Sequence, residues 1–211
     1  MIPPDPEAVL GGEGAPLTVI LAGGEGRRMG GAKPLRRLAG ERLIDRALRR
    51  AAPWSDDLRL SLRQPGQLAD PPVPVLLDDP GIPGPLGGLK PALAAAREAG
   101  RDLLLTIPCD VPFLPVDLGP RLREAIGTRA AALAASGADL HPTCALWRVE
   151  ALEHLAGYLA RGGRSLVGFA ETVGFARAEW DAECFFNVNC EADLAEAERR
   201  LPDLEPGAPR H

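Results

Sequence analysis

The sequence predicts an α/β fold in three layers, with helices on both faces of a mostly parallel central sheet. Short apolar runs alternate with segments whose apolar residues recur at helical spacing, the pattern of repeated strand-helix units. Residues 103–107 are apolar apart from one threonine, which is how a strand covered on both faces reads. Glycine-rich and proline-bounded turns stand where strands hand over to helices.

Taken in order, Leu17-Thr-Val-Ile-Leu21 is the first strand. Residues 43–52 form a helix with Leu43, Ile44, Ala47, Leu48 and Ala51 on one face. Residues 58–62 and 73–77 are short strands, the second bounded by prolines and by Asp78-Asp79-Pro80. A loop at residues 81–88 leads into a helix that ends near Gly100, and the strand at 103–107 ends in Pro108-Cys-Asp110. Residues 115–126 read as a helix, 130–135 as strand or helix, 141–147 as a strand, and 149–159 and 191–201 as helices. With no internal repeat and no linker, residues 17–201 are expected to form a single domain, with 1–16 and 202–211 as disordered termini.

Composition narrows the class. The 211 residues suit one domain, and 45% hydrophobic with 25% charged residues is ordinary for a soluble globular chain. A net charge of −5 argues against a nonspecific nucleic-acid binder. Cys109, Cys144, Cys184 and Cys190 contain no Cys-x-x-Cys pair, so neither a structural zinc site nor a disulfide is expected. The first sixteen residues lack the basic start and apolar core of a secretory signal. No run approaches the roughly 20 apolar residues that cross a bilayer, so a cytoplasmic protein without a membrane partner is expected.

The segment after the first strand carries the chemistry. Leu21-Ala-Gly-Gly-Glu-Gly-Arg-Arg-Met-Gly-Gly-Ala-Lys33 joins glycines, whose backbone can approach phosphate oxygens, to the cations Arg27, Arg28 and Lys33. The P-loop pattern is excluded because Lys33 follows Ala32 and precedes Pro34. The dinucleotide fingerprint is excluded because Gly24-Glu-Gly26 is followed by Arg-Arg-Met. In an open parallel sheet, ligands lie outside the carboxyl ends of strands, where Asp78/Asp79 and Asp110 also fall. Asp110 beside a triphosphate is placed to hold Mg²⁺, which binds through one or two carboxylates plus substrate phosphates. Its other reading is a cap for the next helix.

These residues resemble the molybdenum cofactor guanylyltransferase family. The resemblance is carried by Leu21-Ala-Gly-Gly24, Arg28-Met-Gly-Gly31 and Lys33, then Gly84-Pro-Leu-Gly-Gly88, Pro108-Cys-Asp-Val-Pro112, His141-Pro-Thr143 and Phe186-Asn-Val-Asn189, in family order. It implies a Rossmann-like nucleotidyltransferase fold and transfer of GMP from GTP to molybdenum-molybdopterin, releasing pyrophosphate. Leu21, Ala22, Gly23 and Gly24 would line the nucleotide pocket, Asp79 would contact the nucleotide, and Lys33 the triphosphate. Asp110 would bind nucleotide and Mg²⁺, with Arg28, Lys33 and Asp110 stabilising transferred charge. On the acceptor side, His141, Arg164, Ser165, Asn187 and Asn189 are the candidates, Asn189 with a second reading as a cap for the last helix. Other molybdenum cofactor biosynthesis proteins and apo-molybdoenzymes are the implied protein partners.

The chain departs from the pattern at three places. Gly30-Gly-Ala-Lys33 is one residue shorter than the usual Gly-Gly-x-Asp-Lys and lacks its acid; Ser61-Leu-Arg-Gln64 replaces a stretch with an asparagine; and Cys190-Glu-Ala-Asp193 replaces Thr-Pro-Glu-Asp. A cytidylyltransferase acting on molybdopterin is one alternative, disfavoured by glycine rather than alanine at position 23. A sugar-phosphate nucleotidyltransferase is another, and a GTP-binding regulatory protein without turnover is the third, supported by the shortened loop at Lys33.

Overall fold

Strands and helices alternate along the chain as the periodicity requires, and the computed structural model describes residues 14–24 and 33–204. The elements are β1 (Leu17–Leu21), β2 (Arg37–Leu38), β3 (Glu41–Arg42), α1 (Leu43–Ala51), β4 (Leu58–Leu62), β5 (Val75–Leu77) and α2 (Pro85–Glu98). They continue with β6 (Leu103–Pro108), α3 (Leu118–Ile126), β7 (Ala131–Ser136), β8 (Asp139–Arg148), α4 (Leu152–Ala160), α5 (Leu166–Val173), β9 (Phe175–Glu179) and α6 (Glu191–Leu204). Among the described residues no helix is long and apolar enough to cross a membrane.

The main sheet runs β5-β4-β1-β6-β8-β7-β9, and β2 with β3 makes a separate hairpin. Neighbours are parallel except at β8, which lies antiparallel to both β6 and β7. Strand alternation sorts side chains between two cores. Leu17 and Val19 of β1 pack with Leu86, Leu89 and Leu93 of α2 and with Trp147 and Phe169. Ile20, Leu105 and Ile107 face the other way, against Ile44 of α1 and Leu118 and Leu122 of α3. A third cluster, including Leu38, Phe113, Val188, Ala197 and Leu201, seats α6 beside β2. The architecture is the expected three layers.

Element boundaries moved for local reasons. β5 starts at Val75, two residues later than predicted, just after Pro74, which has no N–H to donate. α2 takes in the second half of the predicted 81–88 loop, because Gly84 at φ 70° makes the turn and Pro85 is favourable in a first helical turn. Residues 115–117 form a turn before α3, with the Leu118 N–H bonded to the Pro115 carbonyl at 3.2 Å. The alanine-rich 130–135 segment, which has no amphipathic signal, is strand β7, buried throughout. Neither α5 nor β9 was predicted, although Ser165 caps α5 by accepting the Gly168 N–H at 3.0 Å.

Both termini differ from expectation. Ala15 and Pro16 are buried, Arg123 donates to the Gly14 carbonyl at 2.8 Å and Ser55 to the Pro16 carbonyl at 2.7 Å, so the packed chain includes residues expected to be disordered. α6 continues past residue 201 to Leu204. Residues 1–13 and 205–211, on which the rest of that expectation falls, lie outside the described residues.

Two helical glycines give opposite expectations. A Cβ on Gly119 would stand 2.8 Å from Trp54 Cγ, and the indole is held by its bond to the Val116 carbonyl at 3.0 Å. Gly119→Ala should therefore destabilise by about 1–2 kcal/mol in urea unfolding, overpacking outweighing the gain in helix propensity. A Cβ on Gly157 meets only the tip of Arg161, at 3.3 Å, so Gly157→Ala should stabilise by about 0.5–1 kcal/mol.

Candidate active site

Four parallel strands, β5, β4, β1 and β6, end at one edge of the sheet, where the loops they release enclose a cleft of about 560 Å³. Of the predicted residues, Leu21, Gly23, Gly24, Asp79, Asp110 and Asn187 line it. Ala22 lies behind the surface, its N–H bonded to the Ser61 carbonyl at 2.9 Å and its own carbonyl accepting from Gln67 Nε2 at 2.9 Å. Arg28, like Arg27, lies outside the described residues.

Lys33 follows the glycine-rich loop in a single turn of 3₁₀ helix and is largely buried. Its Nζ lies 2.5 Å from Asp110 Oδ2 and 2.9 Å from Asn189 Oδ1. Lys33, one residue closer to the glycines than in the family pattern, thus still reaches the end of β6. Asp110 caps no helix, since α3 starts only at Leu118. Nor does the Asn189 amide cap α6, because it is spent on Lys33. Instead Asp193 Oδ2 accepts the Asn189 and Cys190 N–H groups at 2.7 and 2.9 Å, the reach of a capping-box carboxylate. Those bonds hold the Asp193 carboxyl below its usual range.

Close approach governs the opposite wall. A Cβ on Gly23 would stand 2.5 Å from Asp78 Oδ2 and 3.3 Å from the Arg63 backbone nitrogen. Ser61 Oγ donates to Asp78 Oδ1, leaving Oδ2 toward Gly23. Asp79 is engaged differently: Lys90 Nζ lies 2.6 Å from Oδ2, the Gly81 N–H donates to Oδ1 at 2.9 Å, and these bonds lower its carboxyl, Lys90 most. Of the adjacent acids, Asp79 is committed to a lysine and a turn, and Asp78 is the one beside the first loop.

Of the acceptor-side candidates Asn187 lines the cleft; Asn189 is on Lys33, and the other three are engaged elsewhere. His141 stacks on Phe185, ring centroids 4.0 Å apart, and its Nε2 lies 2.7 Å from Ser136 Oγ. Arg164 donates to the carbonyls of Leu159 and Gly163 at 3.1 and 2.6 Å, and Ser165 is the α5 cap. Thr143, on the same strand as His141, lines the cleft instead. Sequence reasoning missed Ser61, Gln67 and Asp193 as contributors. Only Asp193 carried a readable signal, an acid at the third position of a helix.

No group of three or more His, Cys, Asp or Glu side chains poised for a metal occurs among the described residues. Of the carboxylates on the cleft, Asp78 is bonded to Ser61 and Asp79 to Lys90, which leaves Asp110 at the end of β6, and one carboxylate there suits a magnesium ion brought in with phosphates but not a protein-only cage. All four cysteines are free, and burial pushes the Cys109 and Cys144 thiols far up.

Gly23→Ala should cost about 1–3 kcal/mol in denaturant unfolding through the Asp78 clash. Gly24→Ala, with no atom within 4 Å of the added methyl, should change stability by less than about 0.5 kcal/mol. Burial lowers the His141 pKa from 6.5, so the unfolded chain takes up this proton first as pH falls. Stability from His141 is therefore full above pH 6.5 and declines below it, and His141→Gln should flatten the wild-type fall in melting temperature on acidification from that pH.

Residues 18–173 match the MobA-like NTP transferase domain. The chain is 44% identical over 186 residues to a molybdenum cofactor guanylyltransferase of Cereibacter sphaeroides, covering 87% of this chain and 95% of that protein. It is 40% identical over 193 residues to one from Rhodopseudomonas palustris, with 86% and 91% covered. Its fold is similar to that of molybdopterin-guanine dinucleotide biosynthesis protein A from Archaeoglobus fulgidus, with a TM-score of 0.71 at 20% identity over 88% of this chain and 98% of that one. The chain belongs to the MobA-like NTP transferase family, and within it to the molybdenum cofactor guanylyltransferases.

Proposed function

We propose that the cleft transfers GMP from GTP to the terminal phosphate of molybdenum-bound molybdopterin, giving the guanine dinucleotide cofactor and pyrophosphate. The observation that carries this reading is the meeting of Lys33 and Asn189 with Asp110, which lines a glycine-walled cleft. An acceptor phosphate oxygen attacks the α-phosphorus, a new P–O bond forms, and the bond to the β-phosphate oxygen breaks. The nucleophile is already anionic, so no general base is required. Catalysis then rests on alignment and on positive charge near the transferring group.

Lys33 supplies that charge from a buried, fixed position, and Arg28 is the second cation proposed for it. Asp110 would hold Mg²⁺, which offsets charge on the phosphates when bound. Gly23 and Gly24 let the nucleotide lie against the backbone, with Leu21 at the pocket's apolar side. Asp78 favours guanine, because a carboxylate only accepts and guanine offers adjacent N–H donors, whereas the corresponding edge of cytosine mixes donor with acceptors. Asn187 and Thr143 are the acceptor-side residues that face the cleft. Cofactor-biosynthesis proteins and apo-molybdoenzymes are the protein partners that such a substrate and product call for, in the cytoplasm.

Pyrophosphate release is the test, with GTP, CTP and ATP run in parallel over molybdenum-loaded molybdopterin. GTP alone should be turned over, EDTA should abolish release and added Mg²⁺ restore it. Asp110→Ala and Lys33→Ala should each lower kcat/KM at least about 100-fold, the scale of losing one preorganised electrostatic partner. Selective turnover of CTP would overturn the base assignment, and GTP binding without release would overturn the transfer reaction.

A further inference from the structure

We infer that Asp193 is a positioning residue for nucleotide binding, clamping the backbone of Asn189 so that its amide holds Lys33 beside Asp110. The inference rests on the guanylyl-transfer reading of the cleft. A carboxylate in the first turn of a helix needs to accept only from the residue at the helix start, and Asp193 Oδ2 does so with the Cys190 N–H at 2.9 Å. The same oxygen takes the Asn189 N–H at 2.7 Å, two residues before the first residue of α6, a bond beyond the one the helix start requires.

Asn189 needs such a clamp because it is exposed. Held, it sends Oδ1 to Lys33 Nζ at 2.9 Å. The segment is pinned a second time where the Val188 N–H donates to the Asp110 carbonyl at 2.8 Å, so residues 188–190 bridge the end of β6 and the start of α6. A neutral amide is the useful partner here: it occupies one of the three Lys33 protons without cancelling the charge that a triphosphate requires. Cys190 at the helix start is a poor side-chain cap, which leaves Asp193 with both tasks.

Calorimetric titration of GTP with Mg²⁺ into folded variants tests the chain of contacts. Asp193→Ala should weaken GTP binding about 10-fold, Asn189→Ala by a similar factor, and the double variant no further, since both changes release the same amide. Asp193→Asn, which keeps an acceptor oxygen, should stay within about 3-fold of wild type. Ala197→Gly loosens α6 without touching Asn189 and should leave affinity unchanged. Should Asp193→Ala not fold, Asp193→Glu keeps the cap but displaces the clamp by one methylene, and a loss of about 3-fold is expected from it. Unchanged affinity in Asp193→Ala or, where that variant does not fold, in Asp193→Glu, multiplicative losses in the double variant, or an equal loss in Ala197→Gly would each overturn the inference. Failure of the wild type itself to bind GTP would remove the guanylyl-transfer reading as well.

Discussion

The ion pair between Lys33 and Asp110 is the contact on which the rest of the site depends. It joins three pieces of chain distant in sequence: the end of the glycine-rich loop, the end of β6 and, through Asn189, the start of α6. Its worth lies in location more than in stability. Two side chains only 10% and 20% exposed give up much hydration, and their attraction roughly repays that cost. What the pair secures is that neither charge is tolerable alone. In the proposed reaction a triphosphate would supply the anion that Lys33 would otherwise lack, and Asp110 would then be released toward Mg²⁺. On that proposal, ligand exchange at a prearranged pair would replace the creation of a charged site at the moment of binding.

Space is the second constraint. Gly23 and Gly88 are glycines because Asp78 and Ser61 stand where a side chain would go, not because of an unusual backbone angle. Gly84 is different: its φ of 70° makes the turn that starts α2. Pro91 sits inside that helix, where a missing N–H is ordinarily a defect. Here the absent donor frees the Gly87 carbonyl, and the Asp79 N–H takes it at 2.8 Å. A helix interruption thereby ties the loop after β5 to α2 and fixes which way Asp78 and Asp79 turn.

How much of this could be read from the residues alone depended on whether the determining contact was local. β1 and β6 were legible because burial on both faces leaves each apolar but for one threonine. The cleft positions of Leu21, Gly23, Gly24, Asp79 and Asp110 were legible because they follow the carboxyl ends of parallel strands. Asp79 was preferred over Asp78 by motif position; that Asp79 is paired with Lys90, eleven residues on, while Asp78 stands beside Gly23, no local pattern reveals. His141, Arg164 and Ser165 match family segments as letters, yet the structure gives them stacking, carbonyl and capping partners of their own. α5 and β9 escaped because a short helix and an edge strand carry weak periodicity and owe their order to β7 and β8.

The antiparallel strand β8 explains how the second half of the chain reaches the cleft at all. Thr106 of β6 pairs with Ala145, so the residues before Ala145 run toward the carboxyl end of β6, and Thr143 arrives beside Pro108 and Asp110. β7 is antiparallel to β8 and β9 parallel to β7, which turns both back to the direction of β6. The chain leaving β9 therefore emerges at the active edge, and nine residues past Glu179 the Val188 N–H binds the Asp110 carbonyl. One reversed strand thus gives an otherwise parallel sheet two sets of loops at the same edge. The first, from β1, β4, β5 and β6, is rich in glycine and charge and suits a nucleotide. The second, from β8 and the segment after β9, contributes neutral polar groups in Thr143 and Asn187. An acceptor that brings its own anionic phosphate needs orientation there more than additional charge.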